Sequence, residues 1–466
     1  MDTTTPITGQ HLKEWGHNPG PLFPALLSRA NDLRAAGADD AHIRAELDAM
    51  TPPPPAYLPL RAPGSVAFHE NIAATNDDEA ANLRAVRASM VELMRTPTVV
   101  AGAIMPDACP SGPVGTIPVG GVVATRNAIH PGMHSADICC SLMMSDLGDA
   151  DPGAVLDGAQ SVTHFGQGGR PRDGRFVTDA ALLDAFSANP FLNDQKLLHL
   201  AKTHMGTQGD GNHFLFVGRS RKTGRTMLVT HHGSRGPGAL LFKAGMAAAE
   251  TFRRQLSPDT LKQNAWLPGD SAEGRDYWAA LHLMRAWTHA NHQAIHLATA
   301  QAAGAAIADQ IWNEHNFVFE RNGLFLHGKG ATPAWADYAH DATGLTLIPL
   351  NMAEPVLVTR GRDAAHGLGF SPHGAGRNFS RTEHKRRNDA LTPQAMMQAE
   401  TAGLDVRFFA GTVDASELPS AYKSAETVVG QIRGYDLAEI EDYIDPHGCI
   451  MAGDLPPFWL NRKKRR

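Results

Sequence analysis

The chain has 466 residues, 42% apolar and 19% charged, with a formal net charge of −6 from 42 Lys and Arg against 48 Asp and Glu. That balance supports a buried core and excludes both wholesale disorder and a globally basic nucleic-acid sponge. Four Cys cannot staple a chain this long, and Cys139 and Cys140 are adjacent, which points to a reducing, cytoplasmic setting. The first twenty residues carry no apolar signal core, and no run of 18 apolar residues occurs, so neither signal-directed secretion nor a membrane span is expected.

Residues 22–50 read as two short amphipathic helices around Gly37, ending at the stiff run Pro52-Pro53-Pro54-Pro55. Residues 1–60 are therefore expected to form a helical N-terminal extension with a Pro-rich connector. A helix is expected from about Glu79 to Arg95. Beyond it, glycine and proline punctuate short strand-like runs at Gly121–Thr125, Ile138–Met144, 213–218, 226–230, 324–327 and 355–358. The Ala-rich stretch from Ser271 to His315 reads as one or two long helices. The basic end, within residues 456–466, reads as a solvated tail, and His384-Lys385-Arg386-Arg387 as a solvated surface run. Strands and helices mix without a βαβ rhythm, which predicts an α/β domain of α+β character over residues 61–455 rather than a doubly wound sheet. The glycine clusters match neither a P-loop nor a dinucleotide fingerprint.

Histidine is abundant, at 23 residues, and its positions carry the chemical argument. Asp137 and Cys140 lie three apart, on opposite faces of an extended strand, and converge only if Asp137 sits in the turn that enters it. His213, His231 and His315 each fall at the end of a predicted element beside Gly or Asn. Taken singly, each is an ordinary structural imidazole; taken with Asp137 and Cys140, they make a dispersed metal centre the better joint reading. No zinc-finger spacing is present, and mixed carboxylate, imidazole and thiolate suit a catalytic divalent ion such as Mn2+. In Ser371-Pro372-His373-Gly374-Ala375-Gly376-Arg377 the glycines let backbone N–H groups approach phosphate oxygens. Arg377 and Arg381 share a face if that segment is helical, and His373 becomes a candidate nucleophile toward phosphorus.

Seven short motifs occur here in one order: Met105-Pro106-Asp107-Ala108, Asp137-Ile138-x-Cys140, Gly211-Asn212-His213-Phe214, His231-x-Gly233-Ser234-Arg235-Gly236, His315-Asn316, His327-x-Lys329-Gly330-Ala331-Thr332 and His373-Gly374-Ala375-Gly376-Arg377. As a set they resemble the RtcB family of RNA ligases, from about Val99 to Gly453. The resemblance implies a single catalytic domain of mixed β-sheets with flanking helices. It implies a ligase that joins RNA 3′-phosphate or 2′,3′-cyclic phosphate ends to 5′-hydroxyl ends in RNA repair or tRNA splicing, using GTP and two Mn2+. By the same resemblance Asp137, Cys140 and His213 would hold one ion, and Cys140, His231 and His315 the other. His373 would carry GMP covalently, and Asp107 matches a further active-site acid. Asn212, Phe214, Asn316, Pro349, Asn351, Met352, Gly374, Ala375, Gly376 and Tyr422 would surround the nucleotide, and Arg235, Arg377 and Arg381 would meet RNA phosphates. The partners implied are RNA ends, with room for an accessory activator protein.

The match departs from the family pattern around the base. Phe216 stands where the family has a guanine-contacting Glu, Pro349-Leu350-Asn351-Met352 replaces Pro-Gly-Ser-Met, Val356 aligns near a Ser, and Met451 near a base-contacting Lys. Gly328 replaces an Arg, Cys109 a His, and Cys139 and Ser141 replace glycines. These changes predict relaxed or altered nucleotide preference. Two other readings compete with a ligase: a metal-dependent phosphohydrolase or nuclease, and an RNA-binding paralogue. The intact His-Gly-Ala-Gly-Arg argues against the first, and the undecayed metal ligands argue against the second.

Overall fold

The computed structural model describes residues 5–17, 19–20, 22–51 and 57–454. The polyproline run at 52–55 and the basic tail at 456–466 lie outside the described residues. The chain divides into two compact units, Met1–Tyr57 and Leu58–Arg466.

In the first unit, helices Gly9–Glu14, Phe23–Ala35 and Asp40–Met50 close over Leu12, Leu26, Ala30, Ile43 and Leu47. Gly37 supplies the left-handed turn between the second and third helices (φ +87°), and Asp39 caps the third by accepting from the His42 N–H at 2.8 Å. The helix expected near 79–95 runs Asp77–Leu93 in the second unit, started by Asn76, whose side chain accepts the Glu79 N–H.

The second unit is built on two larger sheets. One has five strands, in the order Phe68–Glu70, Val99–Cys109, Val119–Arg126, Leu324–Lys329, Asn316–Arg321. The other runs Leu345–Pro349, Val356–Gly361, Ala438–Met451, Phe214–Ser220, Thr226–His232, Ser141–Asp146, Asp309–Glu314, with Asp405–Phe408 added in parallel to Ala438–Met451. This sheet curls until its ends nearly meet: the Leu347 N–H on one end strand donates to Asn313 Oδ1 on the other at 2.9 Å. Its interior is an apolar cluster that includes Leu142, Phe216, Val229, Leu347, Val356 and Cys449. Among the described residues no helix is long and apolar enough to cross a membrane.

Two expected elements differ. The Ala-rich stretch forms one helix, Ala272–Ala302, and then a strand, Asp309–Glu314, so residues before His315 are sheet rather than helix. Gly304, at φ +63°, ends the helical path. The strand expected at Ile138–Met144 begins at Ser141, because Cys139 takes a left-handed conformation (φ +56°) and residues 137–140 form a turn.

The long helix is tied to the second sheet through its histidines. Thr230 Oγ1 meets His292 Nδ1 and His296 Nε2, both at 2.7 Å, while Ser141 and Ser145 hydroxyls meet the opposite ring nitrogens at 3.0 and 2.7 Å. All five side chains are fully buried. Paired buried polar groups of this kind hold one register, since a slip would leave several unsatisfied at about 1–3 kcal/mol each. The two strands they grip carry Cys140 and His231 at or beside their ends.

Candidate active site

The turn before Ser141 places Asp137 and Cys140 side by side, and Gly233 leaves room for the carboxylate: a Cβ there would lie 2.1 Å from Asp137 Oδ1. Strand pairing does the rest. His231 pairs with Leu142 on one side and Phe214 on the other, and Ser141 pairs with Glu314, so His213, His231 and His315 arrive at the same end of adjacent strands. Cys140 Sγ lies 3.2 Å from His231 Nε2 and 3.6 Å from His213 Nε2; His213 Nε2 lies 3.0 Å from Asp137 Oδ2, and His231 Nε2 lies 3.2 Å from His315 Nε2. Two groups result, Asp137–Cys140–His213 and Cys140–His231–His315, each with ligand atoms within 4.8 Å of one another and with Cys140 shared.

Second contacts set the tautomers. His213 Nδ1 donates to the Gln208 carbonyl at 2.7 Å and His231 Nδ1 to the Asn212 carbonyl at 3.1 Å, which turns both Nε2 lone pairs inward. Burial, then the neighbouring His213 and His373, lowers His231 to about 3; burial, then the same kind of neighbours, holds His315 well below the ordinary value. Burial and then the Asp137 carboxylate push the Cys140 thiol well above its usual range. Burial opposes ionisation of Asp137, but the charge and hydrogen bond of His213 outweigh it and keep that carboxyl low. His231 and His315, held neutral by burial with their Nε2 atoms converging on the shared Cys140, and His213 beside the Asp137 carboxylate, form a mixed N, O and S donor set that fits divalent metal ions.

His373 faces this cluster. The two-stranded pairing of Ala331–Pro333 with Phe370–Pro372 sets Pro372 opposite Ala331, whose N–H donates to the His315 carbonyl at 3.1 Å. The His373 and His315 rings come to 4.7 Å between centroids. Asp107, fully buried at the end of Val99–Cys109, accepts from His373 Nδ1 at 2.5 Å and from its backbone N–H at 3.2 Å. Its carboxylate thus fixes the tautomer and leaves Nε2 of His373 free. Gly376 makes the approach possible: it has φ +74°, and a Cβ there would lie 2.1 Å from the Asp107 carbonyl oxygen.

A cavity of about 680 Å3 opens over these groups. Of the residues expected around a nucleotide, Asn212, Phe214, Asn316, Pro349, Asn351, Met352, Gly374, Ala375, Gly376 and Tyr422 all line it. Asn316 also bridges the site's frame, donating to the Asp137 carbonyl at 3.3 Å and accepting the Gly330 N–H at 2.7 Å.

Arg377 and Arg381 line the cavity, while Arg235 does not. Residues 373–380 are not helical, since Ser380 caps a helix that begins at Arg381. Arg377 and Arg381 converge instead on one buried carboxylate: Arg377 binds Glu417 Oε2 and the Ser416 carbonyl, and Arg381 Nε donates to Glu417 Oε1 at 2.7 Å. Arg377 also lies 4.6 Å over the Tyr422 ring, so one face of that aromatic is already covered. Arg235 is not part of the cavity wall; it donates to the Gly166 carbonyl at 2.8 Å and to Thr207 Oγ1 at 3.4 Å. The run at 384–387 is mostly neutralised, with Lys385 on Asp414, Arg386 on Glu383 and Arg387 on Asp78 and Glu383.

Two cavity-lining residues, Glu417 and Lys329, are not singled out by the sequence. Glu417 has no motif around it to give it away. Lys329 sat inside a quoted motif, yet its role needed the fold: it lines the cavity, donates to Ser111 Oγ at 2.7 Å and to the Ile117 carbonyl at 3.2 Å, and is lowered to about 8 by burial.

The geometry defines a site able to hold two metal ions opposite a histidine whose free nitrogen is set by a buried acid. The sequence profile described as tRNA-splicing ligase RtcB matches residues 175–452, more than half of the chain. The chain belongs to the RtcB family. That span contains His213, His231, His315 and His373, and the structure joins to them Asp107, Asp137 and Cys140 from upstream. Similar proteins include the tRNA-splicing ligase RtcB of Archaeoglobus fulgidus, 26% identical over 337 residues (63% of this chain, 68% of that one). The protein of the same name from Thermococcus kodakarensis is 26% identical over 338 residues, with the same coverage. RNA-splicing ligase RtcB2 of Escherichia coli is 28% identical over 266 residues, covering 53% of this chain and 62% of that one.

Proposed function

We propose that this chain is an RNA ligase that joins 3′-phosphate or 2′,3′-cyclic phosphate ends to 5′-hydroxyl ends, in RNA repair or tRNA splicing, through a histidine–nucleotide intermediate. The observation that carries the reading is the placement of His373: its ring sits 4.7 Å from that of His315 while Asp107 holds its Nδ1. Two Mn2+ ions, held by Asp137, Cys140 and His213 and by Cys140, His231 and His315, would supply charge neutralisation at the phosphates.

The protein's own groups do the remainder. Asp107 keeps the proton on Nδ1, so the Nε2 lone pair of His373 attacks the α-phosphorus of GTP and pyrophosphate departs. The imidazolium formed by that attack is stabilised by the same carboxylate. A 2′,3′-cyclic end is first opened by water, which breaks the bond from phosphorus to the 2′-oxygen and leaves a 3′-phosphate. An oxygen of that phosphate then displaces His373 and takes the guanylate, and the 5′-hydroxyl, giving up its proton, attacks the activated phosphate and expels GMP. Asn212, Lys329 and the backbone of Gly374–Gly376 supply donors along the phosphate path.

The test is incubation with α-labelled GTP and Mn2+, followed by denaturation. Label should stay on the wild-type protein, map to His373, and vanish in His373→Ala. Label that persists in His373→Ala would refute the assignment. Absence of label, together with Mn2+-dependent release of phosphate from RNA ends, would favour a phosphohydrolase.

A further inference from the structure

The cavity wall is of two chemical kinds. One part is polar and carries Asn212, Lys329 and the metal-ligating cluster. The other is apolar and starts beside that cluster, with the Phe214 ring 5.3 Å from that of His231, and continues over Phe216, Met352, Val356, Cys449 and Met451. Strand register explains the second wall: Phe216 pairs with Cys449 and Phe214 with Met451, so these four side chains share one face of the curled sheet. All six belong to, or pack on, one apolar cluster. A nucleotide whose phosphates lie at the polar part has this surface left for its base.

That apolar part is poor in hydrogen-bond acceptors. Glu417 lines the cavity, but its oxygens already accept from Arg377, Arg381 and the Tyr422 hydroxyl. Asn351 Oδ1 is taken by the Ala353 N–H at 2.9 Å. Burial pushes the Cys449 thiol up to about 12, which leaves it a weak, neutral partner. Asn378 lines the cavity with a buried Oδ1 that has no partner. A carboxamide presents one acceptor and one donor edge, and by turning over it complements either guanine or adenine. Among the described residues of this apolar part, no free carboxylate is left to single out the two adjacent N–H donors of guanine.

We infer that this part of the cavity takes either purine, held by stacking, shape and sulfur contacts, so that both ATP and GTP charge His373. The inference rests on the ligase reading above. An apolar pocket separates close analogues by at most about 200-fold, whereas a site built to hydrogen-bond one of them rejects the other by about 10,000-fold or more.

The experiment measures early-time labelling of His373 by α-labelled GTP and ATP, each with Mn2+, in the full-length protein. The expected ratio of the two labelling efficiencies is below about 200-fold. A larger preference for GTP, with the label still on His373, would overturn the inference and leave the ligase reading standing. Failure of every nucleotide to label a folded protein would sink both. A second variant, Met352→Gln, adds an acceptor to the apolar wall and should move the ratio toward GTP. An unchanged ratio in a variant that still labels would place the base elsewhere and overturn the inference.

Discussion

Replacing Asp107 by Asn isolates the part of catalysis that depends on a fixed proton. The carboxylate accepts two hydrogen bonds from His373, at 2.5 Å from Nδ1 and 3.2 Å from the backbone, and its second oxygen has no partner. Asn is nearly isosteric, so the packing around Gly376 survives, but the charge that favours an Nδ1 proton and later the imidazolium is gone. The Nδ1 contact is charge-assisted and worth about 1.5–3 kcal/mol. Loss of that amount slows charging of His373 by roughly 10- to 150-fold. The assay is single-turnover transfer of labelled nucleotide to the protein, run beside circular dichroism and metal content so that folding and ion binding are checked separately. A charging rate within about threefold of wild type, in a folded and metal-loaded Asp107→Asn protein, would refute the assignment of Asp107 as the group that orients His373.

Metal stoichiometry offers a second check: His213→Ala leaves the Cys140–His231–His315 group intact and should reduce bound Mn2+ from about two ions to one, whereas Cys140→Ser touches both groups and should lower it further. Equal stoichiometry in wild type and Cys140→Ser by elemental analysis would exclude a shared ligand. Acid stability is the third. Burial lowers His130 and His296 to about 3 and His134 to about 4, so each folded-state value lies below the unfolded one and the unfolded chain binds more protons as pH falls through about 6.5. Their contribution is fully present above that pH and is lost on acidification, by about 2 kcal/mol each at pH 5 and some 6 kcal/mol together, a large share of a typical total of about 5–15 kcal/mol. The urea midpoint should fall steeply between pH 6.5 and 5, and a flat profile would contradict the buried neutral histidines.

What the sequence makes legible is chemistry carried by local pattern. The turn requirement on Asp137 follows from the side-chain period of a strand, and Cys139 meets it with a left-handed backbone. The ends of strands at His213 and His231 are marked by flanking glycine. What stays hidden is register. Nothing near Glu314 says that it will pair with Ser141, and an Ala-rich run gives no signal for the point where helix becomes strand. Glu417 joins Arg377 across forty positions, a relation without periodicity. A spacing of four between Arg377 and Arg381 does not decide whether the segment is helical: Ser380 delays the helix until Arg381, and the two side chains meet on Glu417 instead of along a helix face.

The strand Ala438–Met451 lies between Val356–Gly361 and Phe214–Ser220 and supplies Cys449 and Met451 to the base-facing wall. A chain emerging from the ribosome carries every proposed metal ligand by residue 315, well over a hundred positions before this strand appears. The nascent protein therefore has the parts to gather cations while its curled sheet still gapes at the centre, with the edges of two unpaired strands exposed. Pairings across some two hundred residues are slow to form, and they make this last insertion the step at which assembly is most open to aggregation.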